Sequence, residues 1–212
     1  MNGTGVNALA LPNQLTLKLL DRGEQVVIVL LWSLMAWRVS HSVNPIAPLL
    51  LLSESAVAFF VLIRRPTNNI SMKLGDWLLA ITATAAPLLI DPRDVSDHGL
   101  VIPAIILVAL GTMLQAGAKL SLRRSFGIAP ANRGIKIDGA YRMVRHPMYA
   151  GYLLCHIGIL AGVFSFANLA LYVIAWIAQI RRLTAEEALL SEDPSYRDYM
   201  GKVRWRLIPG LF

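Results

Sequence analysis

Apolar runs alternate with short polar interruptions along this chain, and the runs have the length of helices rather than of strands. Six apolar helices are expected, at about 25–39, 46–63, 75–90, 100–121, 148–164 and 167–182. Arg38 closes the first, Arg64-Arg65-Pro66 the second and Asp91-Pro92 the third. The fourth is the longest unbroken run. The last two are shorter than the roughly 20 residues of a perpendicular membrane crossing, and Ser165-Phe166-Ala167-Asn168 between them reads as a tight reversal. The pattern predicts an all-α fold: a polytopic transmembrane helical bundle with a C-terminal helical hairpin and a cytosolic tail helix. Gly158 and Gly162 have the small-xxx-small spacing that lets helices approach closely. Pro147 marks a helix start, because its missing N–H and fixed φ suit the first helical position.

Composition sharpens this picture. With 56% hydrophobic and 16% charged residues, the chain is too apolar for an ordinary soluble domain and fits an integral membrane protein with short loops. A net charge of +7 is compatible with nucleic acid, but the bases lie beside apolar runs, so membrane lipid headgroups explain them and no nucleic-acid partner is expected. Lys18 and Arg22, Arg64, Arg65 and Lys73, the bases from Lys119 to Arg145 and those from Arg181 to Arg206 fall on one side. Only Arg38 and Arg93 fall on the other. This asymmetry places both termini, and any site built from the 119–147 connection and the tail, in the cytoplasm, and the lack of an extended N-terminus or targeting signal fits a bacterial inner-membrane protein. Residues 1–24 lack a basic start followed by a cleavage site and read as retained. The single cysteine, Cys155, excludes an internal disulfide and a cysteine-rich metal site, and no metal is expected.

Two polar clusters carry the candidate chemistry. Arg145-His146-Pro147-x-Tyr149 stands directly before an apolar helix, where the free N–H groups of a helix start suit an anion. Arg181-Arg182-x-x-x-Glu186-Glu187 continues into Tyr196-x-x-Tyr199 and Arg204-Trp205-Arg206-Leu207-Ile208-Pro209-Gly210. If the sixth helix runs on past the membrane, Arg182 and Glu186 share a face, and Glu187 lies one step round it. Each element has a plainer reading. Arg145 and His146 could snorkel to headgroups, the two Glu could form a solvated face paired with Arg181 and Arg182, and the two Tyr could pack or sit in an interfacial belt. Gln115 either bonds a neighbouring helix or lines the site; His156 faces another helix through one hydrogen bond; Cys155 is a small buried side chain; His41 and His98 are loop residues. Spans one to three are nearly devoid of ionisable groups, which argues against a transporter.

From about Gly111 to Phe212 the chain resembles the isoprenylcysteine carboxyl methyltransferase and phospholipid methyltransferase family of integral membrane enzymes. The resemblance rests on Ser125-Phe126, Gly139-Ala140-Tyr141-Arg142, Arg145-His146-Pro147-x-Tyr149-x-Gly151, Glu186-Glu187 and Tyr196-x-x-Tyr199…Pro209, in that order. It divides the chain into N-terminal helices without a family motif, 1–99, and a methyltransferase core, 100–212. It implies S-adenosylmethionine as cofactor, with Arg145, His146, Pro147, Tyr149, Gly151, Tyr196 and Tyr199 at the cofactor and Arg182 with Glu186 or Glu187 at the reaction centre. The implied substrate is lipophilic. Carboxyl O-methylation of an isoprenylcysteine-like acceptor is the leading expectation, with phospholipid N-methylation or thiol S-methylation as alternatives. Sterol reductases share a similar Arg-His-Pro element, so an NADPH-dependent membrane reductase is the alternative of another class. The absence of a strand followed by Gly-x-Gly-x-x-Gly excludes the soluble dinucleotide-binding architecture.

Overall fold

A computed structural model describes residues 14–63, 74–92, 100–122 and 137–212. Among these residues the chain is all-α: α1 (Gln14–Ser40), α2 (Ala47–Ile63), α3 (Leu74–Leu88), α4 (Val101–Leu122), α5 (Pro147–Gly162), α6 (Phe166–Leu190) and α7 (Pro194–Lys202), with a 3₁₀ turn over Gly139–Arg142 before α5. The motif element Ser125-Phe126, His98 and the bases Arg64, Arg65, Lys73, Arg93, Arg123, Arg124, Arg133 and Lys136 lie outside the described residues.

The apolar runs became helices, with two instructive extensions. α1 starts at Gln14, well before the apolar run, because the polar residues Lys18, Asp21, Arg22 and Glu24 lower hydropathy without opposing helix formation. α6 runs on to Leu190 and carries Arg182, Glu186 and Glu187 on helical backbone. Among the described residues one helix, Val101–Ser121, is long and apolar enough by length and composition to cross a membrane; Gln25–Ser40, Trp77–Leu88 and Pro147–Gly162 are apolar but shorter.

α5 packs along α4, α6 along α3 and α1 along α2. The closeness of the α4–α5 pair is written in its glycines. A Cβ at Gly111 would stand 2.6 Å from the Gly151 carbonyl oxygen, and one at Gly151 would stand 2.7 Å from that of Gly111. Gly158 lies equally close to the Ala104 carbonyl, whereas Gly162 meets Ile46 before α2. The two residues of the small-xxx-small pair thus serve different partners.

The expected C-terminal hairpin forms with its two helix axes set apart. The reversal is real: Ser165 caps α6 by accepting from the Asn168 N–H at 3.2 Å. The backbones of α5 and α6 approach at few points, because the glycine face of α5 is committed to α4 and α6 lies against α3, and the two helices meet instead through side chains: His156 with Tyr172 and Trp176, Tyr149 with Arg182 and Glu186. Asn168 ties the reversal to the end of α3, accepting from the Asp91 N–H and donating to the Asp91 and Val163 carbonyls, all within 3.0 Å. Asn44 similarly donates to the Gly162 carbonyl. Side-chain amides thereby satisfy helix-end backbone groups that would otherwise be left without partners.

The bundle interior holds more charge than the sequence pattern implied. Lys119, counted above as a loop base, is 0% exposed. Its ammonium donates to Gln115 Oε1 at 3.2 Å and lies 5.3 Å from the centre of the Tyr152 ring. Gln115 in turn bonds the neighbouring helix, its Nε2 donating to Cys155 Sγ at 3.2 Å. Glu54 of α2 is also buried and interacts electrostatically with Lys119, so spans one to three are not free of ionisable groups where it matters. His156 accepts the Trp176 indole N–H at 3.1 Å, the single interhelical bond expected of it, and Cys155 is fully buried.

Candidate functional site

The cluster before α5 and the cluster on α6 meet. Pro147 opens α5 as its first residue, so the two residues before it lie in extended or irregular backbone at the helix start. The tail fixes them there. The Arg145 N–H donates to the Trp205 carbonyl at 2.8 Å and the His146 N–H to the Arg206 carbonyl at 2.9 Å. A two-residue backbone pairing therefore straps the segment after α7 across the entrance to α5.

The Glu187 carboxylate is the hub of the arrangement. Its Oε1 lies 3.1 Å from both Arg145 Nε and His146 Nε2, and its Oε2 accepts from Arg206 Nε at 2.9 Å. A carboxylate only accepts, so His146 carries its proton on Nε2. The Arg145 contact is an ion pair without the alignment of a directed hydrogen bond. Burial alone would push the Glu187 carboxyl up. The hydrogen bonds from His146 and Arg206, with the Arg145 charge, outweigh that effect and hold it below its usual range. The anion at this helix start is thus the protein's own. Two guanidiniums on one carboxylate still leave the cluster with net positive charge.

Glu186 has the other role among the two acids. It is partly exposed, and its Oε2 accepts the Tyr149 hydroxyl at 3.0 Å. The Tyr149 ring lies edge-on to His146, with centroids 5.5 Å apart, and the buried Arg182 guanidinium is 5.5 Å from its centre. His146, Tyr149, Arg182, Glu186 and Glu187 consequently form one connected group built from the start of α5 and the end of α6.

Tyr196 and Tyr199, both buried on α7, lie 5.6 Å apart, and the Tyr199 hydroxyl donates to the Tyr141 carbonyl at 2.7 Å. That bond links α7 to the 3₁₀ turn. Burial, the largest cause, pushes the Tyr199 hydroxyl up to about 12 and the Tyr196 hydroxyl above its ordinary value, so both remain neutral donors. Gly139 enters the 3₁₀ turn with φ +63°, a conformation that favours glycine. Gly151 stands apart from the group, since α4 fills the space beside its Cα.

Three participants escaped the sequence reading. Arg206 was one base among many, and only the folded tail brings it to Glu187. Tyr152 continues the Tyr149 face of α5 inward. Glu54 was legible as an acid between two serines inside an apolar run, a pattern that by itself flags function. No group of three or more His, Cys, Asp or Glu suited to a metal occurs among the described residues.

Residues 100–195 match the sequence profile of a family described as phospholipid methyltransferase. A Protein-S-isoprenylcysteine O-methyltransferase from Schizosaccharomyces pombe (strain 972 / ATCC 24843) is 31% identical over 108 residues, which cover 47% of this chain and 46% of the yeast protein. The match therefore spans about half the length of that relative.

Proposed function

We propose that this chain, whose residues 100–195 match the phospholipid methyltransferase family and which resembles an isoprenylcysteine methyltransferase over about half its length, is an S-adenosylmethionine-dependent membrane enzyme that methylates a lipophilic acceptor. Carboxyl O-methylation of an isoprenylcysteine-like acceptor is the reading that fits the yeast relative's name. The observation that carries it is the division of labour between adjacent acids. Glu187 is consumed in holding the fold of the site, which leaves Glu186, half-exposed beside Tyr149, available to a ligand.

The residues present suit the donor. S-adenosylmethionine, when bound, supplies a methyl group on a sulfonium cation. The surplus positive charge of the Arg145–His146–Arg206 cluster suits its carboxylate, and Glu186 suits its ammonium or ribose hydroxyls. The faces of Tyr149, Tyr196 and Tyr199 suit an adenine or a cation. Pro147 sets the helix start that brings Tyr149 to Glu186. Arg182 orients an anionic acceptor with its planar fork. A carboxylate acceptor is already ionised, so no strong general base is needed, and these residues act by positioning and by excluding water.

A polytopic arrangement in the membrane is supported by the apolar side chains that the bundle leaves outside. Ile102, Ile105, Ile106, Leu110 and Met113 of α4 and Val173, Ile174 and Ile177 of α6 are all exposed, as lipid-facing surfaces require. In this reading the N-terminal helices, 1–99, are a scaffold for the core at 100–212, and the site opens to the cytoplasm of a bacterial inner membrane.

Membranes containing the protein, incubated with methyl-labelled donor and an S-prenylated cysteine, are expected to yield base-labile label. Stable label in lipid would move the assignment to nitrogen. No saturable donor binding by calorimetry, or stabilisation by NADPH alone in a thermal-shift comparison, would overturn the proposal.

A further inference from the structure

One face of α6 carries Tyr172, Trp176, Gln179 and Arg182 at successive steps of three and four residues, so they form a single stripe. Contacts with α5 fix the level of three of them. The Tyr172 ring lies 4.6 Å from that of His156, Trp176 donates to the same His156, and Arg182 stands over Tyr149. Gln179, between Trp176 and Arg182, therefore stands at the level of Tyr152, between His156 and Tyr149. Backbone contact between α5 and α6 is sparse, so aromatic and polar side chains, not closely packed helices, fill this seam.

Among the uncharged side chains of the stripe, two polar atoms have no hydrogen-bond partner among the described residues: the Tyr172 hydroxyl and the Gln179 side-chain carbonyl oxygen. Their residues are 3% and 4% exposed. Buried polar groups are nearly always satisfied, and an orphan forfeits the hydrogen bonds it made with water. Two orphans on one stripe, contiguous with Arg182 and Tyr149, point to a ligand that completes them. A carbonyl oxygen can only accept, whereas a phenol hydroxyl can donate or accept. The missing group is accordingly a hydrogen-bond donor, and neither orphan carries a charge to match an ionised one.

We propose that the α5–α6 seam recognises the methyl acceptor, that Gln179 selects an acceptor with an uncharged hydrogen-bond donor, an amide N–H or a hydroxyl, beside its hydrocarbon tail, and that Tyr172 meets a second, separate point of the same molecule. This inference rests on the methyltransferase reading and extends it. The Arg182–Glu186 end of the stripe handles the reacting group, and the inner levels read the rest of the molecule. Tyr172 and Gln179 lie about 10 Å apart along the helix axis, so they contact an extended ligand at two separate points.

The test uses the full-length protein in detergent with Gln179→Leu and Tyr172→Phe. The acceptors are two S-prenylated carboxylic acids that differ only in an acetylamino group beside the carboxylate. The unaltered protein should prefer the amide-bearing acid. Gln179→Leu should lower kcat/KM for that acid by about ten- to a hundredfold and change the other by less than about twofold. Tyr172→Phe, about 10 Å farther along the helix axis, should lower kcat/KM for both acids alike and keep the preference between them. Donor affinity by calorimetry should not change, and the ligand-free thermal midpoint should not fall, because each variant removes an unsatisfied buried group. An unchanged preference in Gln179→Leu would overturn the inference, as would equal losses on both acids with a lowered midpoint in that variant. If the unaltered protein neither binds donor nor labels either acid, the methyltransferase reading itself fails, and this inference with it.

Discussion

Glu187 shows how one buried carboxylate can order several basic groups at once. Buried and shared among Arg145, His146 and Arg206, it is the counter-charge that allows two basic residues to stand at a buried helix start. Replacing it by Ala strands those charges and is expected to cost about 3–5 kcal/mol, measured by denaturant unfolding in detergent. Arg206→Ala should cost much less, about 1 kcal/mol, because that side chain is 36% exposed and water screens its charge. Acid should reveal the same hub. The Glu187 carboxyl is held below its usual range, so its contribution to stability is full above about pH 5 and is lost as pH falls through the folded-state value. The difference in thermal midpoint between the unaltered protein and Glu187→Gln should therefore shrink on acidification below about pH 4. Glu186→Gln makes the opposite kind of prediction: little change in stability, with weakened donor binding.

Much of this residue-scale chemistry was legible in the sequence. Arg145, His146, Tyr149, Arg182 and both acids were singled out from spacing and type, and the structure brings them together. The spacing could not assign roles within the Glu186-Glu187 pair, because a one-residue step on a helix turns a side chain by about 100° and only the neighbouring elements decide what it meets. Arg206 was illegible as a partner, since nothing local distinguishes it from Arg204. Lys119 was misplaced for a related reason: a count of bases by position treats a residue at the end of an apolar run as outside it. A buried partner on another helix can reverse that assignment.

Among the elements, the α4–α5 interface is the most exacting. Gly111 and Gly151 each stand where a side chain would strike the other helix's backbone. Gly151→Ala should force these helices apart, cost about 1–3 kcal/mol in unfolding measurements, and lower donor affinity by shifting His146 and Tyr149 at the start of α5. The sequence offered a glycine pair at 158 and 162, and the helix start at Pro147 and the cap at Ser165 were equally readable. Pairing was not readable. Helices five and six do meet through side chains after their tight turn, but their close backbone neighbours are α4 and α3, and residues far apart in sequence, Asn168 with Asp91 and Asn44 with Gly162, anchor the turn.

In the whole molecule, the segment after α7 returns to lie across the residues before α5. Deleting 203–212 removes Arg206 from Glu187 and strips the backbone partners from Arg145 and His146. Circular dichroism should still report a helical protein, while calorimetry should show donor binding lost.

The exchange of partners at the Ser165 reversal reaches further. Because the motif-bearing helices divide their backbone contacts, α5 to α4 and α6 to α3, the motif-bearing half is stitched through the half that carries no motif. It cannot be lifted out as a cassette. A chimera that keeps 100–212 but takes foreign leading helices would need a substitute for the surface α3 presents to α6. Divergence in those first helices is thereby constrained by a requirement of fit that no motif search along the chain would register.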